Sequence, residues 1–248
     1  MKVAYFKIKN MEGKTALITG SAKRIGKELA LHLAKQSWNL ALHYNTSKED
    51  AMVLRDYLKA IYPKQVFNVF CCDLSDKPES LIDEIHKEFG QIDLLVNNAS
   101  VYSPGLIKET SSELLDEQMN INFKAPFILM RDYANICKKG LIVNFLDTRI
   151  SKFSSDFAAY SLSKVALSHL TQMGALEFGP DIRVNGIAPG STIAPLGADE
   201  DYLEDRAAVT PMKEPGGMQA ILKSLDYILD NNNLTGQILF CDGGEQLM

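Results

Sequence analysis

The sequence has no run of apolar residues long enough to cross a membrane. Its longest apolar stretches, such as Leu141–Leu146, are short or interrupted by polar residues, whereas a membrane-spanning helix needs roughly 18–20 apolar residues. The segment from Met1 to Lys14 alternates lysine with apolar residues and contains no apolar core of a secretory signal. We therefore expect a cytoplasmic protein with no membrane partner.

Cysteine is scarce, because the chain has only 4, namely Cys71, Cys72, Cys137 and Cys241. No pair shows Cys-x-x-Cys spacing, and no histidine partner lies nearby in the sequence. Neither a disulfide framework nor a zinc site is therefore indicated. We expect buried thiols in a reducing compartment and no bound metal.

An excess of positive charge is also missing, because 26 basic residues face 31 acidic ones and the net charge is −5. This balance excludes a general nucleic-acid-binding surface. With 46% hydrophobic and 23% charged residues, the composition is that of an ordinary globular protein and excludes disordered, collagen-like and coiled-coil chains.

No linker or internal repeat interrupts the sequence, so we expect residues 1–248 to form a single domain.

Short apolar runs alternate along the chain with segments of helical periodicity. Strands are predicted over seven segments, residues 15–19, 40–44, 66–71, 94–96, 141–146, 182–187 and 237–241. Helices are predicted between them, among them residues 112–137, 158–178 and 218–229. Because the strands are fully apolar and separated by helices, the sequence predicts an α/β fold, a Rossmann-type doubly wound parallel sheet with helices on both faces.

One long irregular stretch lies at residues 189–217. It carries Pro195, Pro211 and Pro215 together with the acidic run Asp199–Asp205. A connection of this length in a compact domain is usually a binding loop, so we expect it to be a substrate loop. The alternative is a solvated surface insertion, and we expect the acidic run to be a solvated face rather than a metal site.

The first predicted strand leads directly into the segment Thr19–Gly26, TGSAKRIG, which precedes the first helix. In such a turn, backbone N–H groups and the positive end of the helix can hold a pyrophosphate. Glycine is needed where the backbone approaches the phosphate or the sheet closely, as we expect for Gly20 and Gly26. The segment predicts a dinucleotide site, and a tight turn with a purely structural purpose is the alternative.

The end of the second strand indicates which dinucleotide would bind. NAD-binding sites carry an acidic residue about 20 positions further on, at the end of that strand. The side chains here are amides and hydroxyls, those of Asn45, Thr46 and Ser47. The first acid is Glu49, and Lys23 and Arg24 add positive charge to the glycine loop. NADPH is therefore favoured over NADH. The alternative interpretation of Arg24 is a surface arginine that lies along the first helix.

Tyr160 and Lys164 are spaced i and i+4 on the predicted helix 158–178, and therefore lie on one face of it. A free phenol has a pKa of about 10 and is a poor acid–base group near neutral pH. An ammonium group one turn away favours the phenolate. We therefore expect Lys164 to lower the pKa of Tyr160, which suits proton transfer to a substrate that is being reduced.

Several motifs, in the right order, resemble those of the short-chain dehydrogenase/reductase family of the small, single-domain type. The matching segments are Thr19-Gly20…Gly26, Cys72-Asp73-Leu74, Asn97-Asn98-Ala99, Asn122, Tyr160…Lys164, Pro189-Gly190 and Asp242-Gly243-Gly244. The resemblance covers nearly the whole chain. It implies that Tyr160 is the proton donor, that Lys164 bonds the nicotinamide ribose, and that Asn122 supports a proton relay with Lys164.

The resemblance and the glycine-loop argument together define the predicted NADPH site. In the family, Asp73 would lie by the adenine and Asn98 by the ribose. The predicted cofactor-binding residues are Gly20, Lys23, Arg24, Ile25, Gly26, Asn45, Thr46, Ser47, Asp73, Leu74, Asn98, Ala99, Ser100, Lys164, Pro189 and Gly190.

Asp147 departs from the family pattern, which mostly has a serine about a dozen residues before the tyrosine to bond the substrate carbonyl. Asp147 follows the predicted strand 141–146 and lies 13 residues before Tyr160. An ionised carboxylate only accepts hydrogen bonds and cannot hold a ketone oxygen as a hydroxyl does. It can bond a protonated ring nitrogen or share a proton with Tyr160, which suits a C=N substrate. A carboxylate that caps the following loop is the alternative.

A combination of features resembles the pteridine reductases and the related dihydrofolate and dihydromonapterin reductases of this family. The features are the segments Ala22–Gly26 and Asn98–Ser100 and the trio Asp147, Tyr160 and Lys164. The resemblance implies that Ser100 lies near the pterin, Arg24 near the cofactor or the pterin, and that Tyr102 stacks on the pterin ring. The alternative for Tyr102 is a rim aromatic residue packed under the long loop. The predicted substrate-binding residues are Arg24, Ser100, Tyr102, Asp147 and Tyr160.

These features predict an NADPH-dependent reductase that transfers hydride to a C=N bond of a pterin or folate. The predicted catalytic residues are Asp147, Tyr160, Lys164 and Asn122. The first alternative is an NADPH-dependent carbonyl reductase, for example of 3-oxoacyl thioesters. The second is a cofactor-binding sensor or scaffold without chemistry, which the intact catalytic residues disfavour. Members of the family are commonly tetramers, so by analogy we expect a homotetramer.

Overall fold

The structure is a computed structural model that describes residues 13–194, 197, 199 and 201–248. The strands in these residues are β1 (Thr15–Ile18), β2 (Asn39–Tyr44), β3 (Phe67–Cys71), β4 (Leu94–Asn97), β5 (Gly140–Phe145), β6 (Ile182–Pro189) and β7 (Ile238–Cys241). They form one parallel sheet in the spatial order β3-β2-β1-β4-β5-β6-β7. The order reverses after β1, as in a doubly wound sheet, so the predicted fold class is confirmed.

Helices connect the strands, and crossover connections place them on both faces of the sheet. They are α1 (Arg24–Lys35), α2 (Lys48–Ile61), α3 (Leu81–Phe89), α4 (Ser112–Met119), α5 (Ala125–Ile136), α6 (Ala158–Phe178), α7 (Tyr202–Ala208) and α8 (Gly217–Asp230). The observed bounds of α6 match the sequence prediction. Within the described part of the chain, no helix is both long and apolar enough to cross a membrane.

The described residues divide into two compact units. The first comprises residues 13–99, 125–142 and 180–182, and the second comprises residues 100–124, 143–179 and 183–248. In the first unit, β1 pairs with β2 on one side and with β4 on the other, and all 4 of its side chains are buried. This explains why β1 is apolar throughout rather than alternating. In the second unit, β6 pairs with β7, with Gly186 opposite Ile238.

The predicted helix 112–137 is interrupted, which corrects the expectation of one continuous helix. α4 is followed by a single π-helical turn over Asn120–Lys124, and α5 begins directly after it. Pro126 has no N–H to donate to the carbonyl of Asn122, four residues earlier, so a regular α-helical hydrogen bond is impossible at this point. The side chain of Asn122 is fully buried in the turn.

The segment 189–217 is not irregular throughout, because it contains the short helix α7. Glu204 and Asp205 lie in the first turn of α7, where negative charge is favoured by the helix dipole. Their side chains are exposed, as expected for a solvated face. Pro195 and Glu200 lie outside the described residues.

All 4 cysteines are free thiols, but they are not all buried. Cys137 is buried, whereas Cys71 is exposed, so the expectation of buried thiols is wrong for Cys71. Cys71 is the last residue of β3, which is an edge strand of the sheet. A strand at the edge has a neighbour on one side only, which leaves its end open to solvent.

Candidate active site

The turn after β1 is held in place by His43 of β2. The backbone N–H of Gly20 donates to Nδ1 of His43 at 3.0 Å, and Nε2 of His43 lies 2.9 Å from the carbonyl oxygen of Cys72. Since Nδ1 accepts a hydrogen bond, the proton is on Nε2 and the imidazole is neutral. Burial lowers the pKa of His43 to about 4, which agrees with a neutral ring. The sequence analysis did not find this role of His43, because it depends on the pairing of β1 with β2.

Asn98 fixes the same turn from β4. Its side-chain Nδ2 donates to the carbonyl oxygens of Thr19 at 2.8 Å and of Gly20 at 3.1 Å. The hydroxyl oxygen of Thr19 in turn accepts from the backbone N–H groups of Asn98 and Ala99, at 2.9 and 3.0 Å. Asn98, predicted to lie near a ribose, therefore uses both amide hydrogens to shape the turn.

The two predicted glycines of the turn are required by its geometry. Gly20 has a φ of +62°, a left-handed conformation that glycine adopts without steric cost. A Cβ atom on Gly26 would lie 2.2 Å from the carbonyl oxygen of Gly20, so only glycine lets α1 approach the turn so closely. The close approach of α1 to the turn places the N-terminus of the helix at the end of β1, which is the arrangement that holds the pyrophosphate in dinucleotide-binding proteins.

Lys23 and Arg24 are both exposed at the start of α1. The Nζ atom of Lys23 lies 3.0 Å from Oδ2 of Asp50. Arg24 has a φ of +50°, a left-handed conformation that is unfavourable for an arginine. A glycine at this position would adopt it freely. Ile25 is partly buried.

The predicted adenosine side of the cofactor site lies at the ends of β2 and β3. Asn45 and Thr46 are exposed and Ser47 is partly buried. Oδ1 of Asp73 accepts from both the hydroxyl and the backbone N–H of Ser75, at 2.7 and 2.9 Å. These bonds hold the pKa of Asp73 below its usual value. The next residue along the chain, Leu74, is buried.

Asp147 and Tyr160 are directly bonded in the second unit. The hydroxyl of Tyr160 donates to Oδ2 of Asp147 at 2.8 Å, and the backbone N–H of Arg149 donates to Oδ1 of Asp147 at 2.8 Å. Asp147 therefore caps the turn Thr148–Ser151 and also holds the phenol. One carboxylate oxygen of Asp147 thus makes the cap of the alternative interpretation and the other contacts the phenol, while a role of Asp147 in proton transfer stays a prediction.

Burial shifts the proton affinity of this pair. The pKa of Asp147 is raised by burial, against the lowering effect of its hydrogen bonds. The pKa of Tyr160 is raised well above 10, first by burial and then by the neighbouring charge of Asp147. The expectation that Lys164 lowers the pKa of Tyr160 is therefore wrong, because desolvation and the nearby carboxylate outweigh the ammonium.

Lys164 is almost completely buried one turn along α6. Its Nζ atom donates to the carbonyl oxygen of Phe145 at 2.9 Å and lies 5.7 Å from the centre of the Tyr160 ring. Burial lowers the pKa of Lys164 to about 8. An ammonium can donate three hydrogen bonds, so a bound partner rich in acceptors would satisfy Lys164 further.

Asn122 holds the segment after β4 to the start of α6. Its Oδ1 accepts from the hydroxyl of Ser100 and the N–H of Val101, both at 2.9 Å. Its Nδ2 lies 2.9 Å from the carbonyl oxygen of Val101 and 3.1 Å from Oγ of Ser163. Among the hydrogen bonds of the described residues, the Asn122 side chain makes none with Lys164. The proposed relay between Asn122 and Lys164 is therefore not a direct side-chain contact.

Tyr102 lies against the phenol of Tyr160. The two ring centres are 4.6 Å apart at an interplanar angle of 86°. The ring of Tyr102 also stacks on that of Phe157, with ring centres 4.2 Å apart and an interplanar angle of 11°. The side chain of Tyr102 remains 50% exposed, so it is available to a further ring. Sequence reasoning missed Phe157, although it stands three residues before Tyr160.

Pro189 and Gly190 lie at the end of β6, where the backbone is tightly packed. A Cβ atom on Gly190 would lie 2.9 Å from both Cβ of Asp242 and Oε2 of Glu245. Asp242 in turn accepts from the hydroxyl of Thr148 at 2.7 Å. The Asp242-Gly243-Gly244 segment thereby supports the turn that Asp147 caps.

The comparisons with known proteins agree with this fold. A family model described as short chain dehydrogenase matches residues 14–202. An uncharacterized oxidoreductase of Thermotoga maritima is 31% identical, with 95% of this chain and 98% of that protein aligned. A 3-oxoacyl-[acyl-carrier-protein] reductase of Staphylococcus epidermidis is 26% identical, with 93% and 98% aligned.

Two solved structures are also similar over almost the whole chain. The FolM alternative dihydrofolate reductase 1 from Brucella canis, complexed with NADP, is 31% identical with a TM-score of 0.88, and 95% of each chain is covered. The corresponding protein from Brucella suis, also in complex with NADP, is 30% identical with a TM-score of 0.90, and 95% and 96% of the chains are covered. The resemblances noted from the sequence are confirmed, and the chain belongs to the short-chain dehydrogenase family.

Proposed function

We propose that the protein is an NADPH-dependent reductase of pterins or folates that transfers hydride to a C=N bond. The observation that carries the proposal is the 2.8 Å hydrogen bond from the Tyr160 hydroxyl to Oδ2 of Asp147. The two similar Brucella structures, named as dihydrofolate reductases with NADP, support both the substrate class and the cofactor.

The cofactor residues predicted from the sequence are those that we propose to hold NADPH. The Gly20–Gly26 turn fits a pyrophosphate, and exposed Lys23 and Arg24 add positive charge for a 2′-phosphate. No carboxylate stands among Asn45, Thr46 and Ser47 to repel that phosphate. Bound NADPH would supply the hydride.

The proton that accompanies the hydride comes from the Asp147–Tyr160 pair. The hydroxyl of Tyr160 is protonated at neutral pH and can donate to a substrate nitrogen, and because its raised pKa makes it a weaker acid than a free phenol, the phenolate left by the transfer has to be stabilised by its neighbours. Asp147, whose pKa is also raised, can carry a proton and return it to the phenolate oxygen through the same hydrogen bond. We propose that the ammonium of Lys164 binds the nicotinamide ribose and stabilises the transient phenolate.

The substrate ring is proposed to stack on Tyr102, which is half exposed beside Tyr160. Ser100 is exposed in the same segment and is proposed, with Arg24, to contact the pterin. The segment 189–217 is proposed to be the substrate loop. A single domain, a homotetramer and a cytoplasmic location stay predictions.

A carbonyl reductase is the second candidate, because the Staphylococcus epidermidis relative is named as a 3-oxoacyl reductase. Both oxygens of Asp147 accept hydrogen bonds in the structure. A ketone oxygen needs a donor at this position, and an ionised carboxylate offers none. The pterin or folate reductase is therefore the better supported proposal.

The proposal is tested by following NADPH oxidation with dihydrobiopterin, dihydrofolate and acetoacetyl thioester, with NADH as the cofactor control. The variant Asp147→Ser is compared with Asp230→Ser, since Asp230 is exposed at the end of α8. We expect Asp147→Ser to lower kcat/KM for the pterin or folate about 100-fold, the usual contribution of a general acid–base group. Turnover of the thioester alone by the unaltered protein would refute the proposal.

A further inference from the structure

Arg149 makes a set of side-chain contacts that the acid–base chemistry does not use. Its Nη1 and Nη2 atoms donate to the two carboxylate oxygens of Asp156 at 2.9 and 3.2 Å. Its guanidinium carbon lies 4.6 Å from the centre of the Phe157 ring. A bidentate ion pair combined with stacking on a ring is an arrangement that arginine makes and lysine does not.

The contacts of Arg149 continue into the aromatic stack, by which we mean Arg149, Phe157 and Tyr102. Phe157 contacts both the guanidinium and the Tyr102 ring and is nearly parallel to the latter at 11°, and the guanidinium also interacts directly with the side chain of Tyr102. Tyr102 then meets the ring of Tyr160 edge to face, at 86°. The ion pair with Asp156 is thus connected through two stacked contacts to the ring beside the proton donor.

The main chain under the aromatic stack is held independently of these side chains. The N–H of Gly105 donates to the carbonyl oxygen of Asp156 at 2.9 Å, and the N–H of Ala158 donates to the carbonyl oxygen of Gly105 at 3.0 Å. Asp147 is likewise capped by the backbone N–H of Arg149 and not by its side chain. Replacing Phe157 therefore leaves the acid–base pair and its backbone supports in place, whereas the charge of Arg149 also opposes the rise that burial causes in the pKa of Asp147 and of Tyr160.

We propose that Arg149 is a positioning residue that acts through Phe157 to fix the Tyr102 ring, and so prepares the site for substrates with a flat, conjugated ring. The inference deepens the proposed function and rests on it. One face of Tyr102 is covered by Phe157 while half of the side chain stays exposed.

A fixed ring binds a flat partner more tightly than a mobile one. A tyrosine that is already held in one orientation loses less side-chain entropy when a substrate stacks on it. Offset or parallel aromatic contacts and cation–π contacts each contribute enough to change a binding constant severalfold. The stack is therefore expected to act on substrate binding and to leave the proton-transfer step largely unchanged.

The experiment compares Arg149→Met and Phe157→Leu with the control Phe153→Leu. Phe153 lies in the same segment, four residues before Phe157, and its side chain is fully exposed. The dissociation constant of dihydrofolate is measured on the NADP⁺-loaded protein, where no turnover occurs, together with kcat and the KM values for dihydrofolate and NADPH. Phe157→Tyr serves as the conservative variant, since it keeps the stacked ring.

We expect Arg149→Met and Phe157→Leu each to raise the dissociation constant and the KM for dihydrofolate about fivefold or more. In Phe157→Leu, which removes no charge, the KM for NADPH and kcat should change by less than about twofold, and Phe157→Tyr and Phe153→Leu should behave like the unaltered protein. The inference is overturned, and the proposed function is left standing, if Phe157→Leu binds dihydrofolate as tightly as the unaltered protein. The same holds if Phe157→Leu raises the KM for NADPH as much as the KM for dihydrofolate. Failure of the unaltered protein to bind or reduce dihydrofolate overturns it together with the proposed function.

Discussion

Replacing Lys164 by methionine is expected to make the folded protein more stable while abolishing its activity. The ammonium of Lys164 is almost completely buried, and among the described residues it donates a 2.9 Å hydrogen bond to the carbonyl oxygen of Phe145. Burial lowers the pKa of Lys164 to about 8, whereas the pKa of a lysine in an unfolded chain is about 10.4. The charged side chain therefore works against folding.

The size of the effect follows from this difference. At pH 7 the ammonium is charged in both states, so its burial costs roughly 3 kcal/mol of stability at about 1.4 kcal/mol per pH unit. Methionine removes that cost but leaves the carbonyl of Phe145 without its donor, which takes back roughly 1 kcal/mol. The net gain of about 2 kcal/mol corresponds to a rise in Tm of roughly 4–8 °C for a chain of this size.

The assay is thermal and urea unfolding without added nucleotide, at pH 7 and again near pH 10. The advantage of Lys164→Met should be complete below about pH 8 and should fade as the pH rises towards 10.4, because the lysine of the unaltered protein then folds uncharged. Lys59→Met is the matched control, since Lys59 is exposed on α2. A variant that is less stable than the unaltered protein at pH 7, or an advantage of equal size at pH 10, would refute the reasoning.

Two further predictions concern the turn after β1. Arg24→Gly should raise Tm by roughly 2–4 °C, because it removes the left-handed strain of about 1 kcal/mol at φ +50°. A lower Tm would contradict this expectation. The same variant should raise the KM for NADPH, because it removes a positive charge from the glycine loop. The neutral His43, with its pKa near 4 against about 6.5 in the unfolded chain, should contribute stability that is complete above pH 6.5 and is lost as the pH falls towards 4. His43→Gln should therefore weaken the loss of stability between pH 7 and pH 4.5 in urea unfolding, whereas the control His169→Gln, at an exposed position, should not.

The periodicity of the sequence was sufficient to predict the regular elements but not their irregularities. The helix Ala158–Phe178 was predicted with the bounds that the structure shows, because its apolar residues recur at helical spacing. The π-helical turn Asn120–Lys124 was missed, since one additional residue per turn barely disturbs that spacing. Pro126 was the available signal, because a proline near the start of a helix deprives a carbonyl four residues earlier of its donor.

The candidate site was predictable where a motif names the residue and not where a tertiary contact gives it its role. Asp147 was singled out because it departs from a family pattern, but only the structure shows that one oxygen caps a turn and the other holds Tyr160. The role of His43 could not be predicted, because its partners Gly20 and Cys72 lie on other segments of the chain. Pairings of this kind leave no trace in local spacing.

The wrong expectation for Tyr160 shows why a spacing argument alone misjudged the chemistry. Lys164 lies one turn away in the sequence, and that local relation favours the phenolate. Asp147 lies 13 residues away in the sequence but accepts the hydrogen of the phenol directly, and the pocket removes water from both groups. The distant carboxylate and the burial raise the pKa of Tyr160, which makes this phenol a weaker acid than a free one. The predicted role of Tyr160 as proton donor therefore depends on how well the site stabilises the phenolate that remains after the transfer, and this depends on tertiary contacts that local spacing does not reveal.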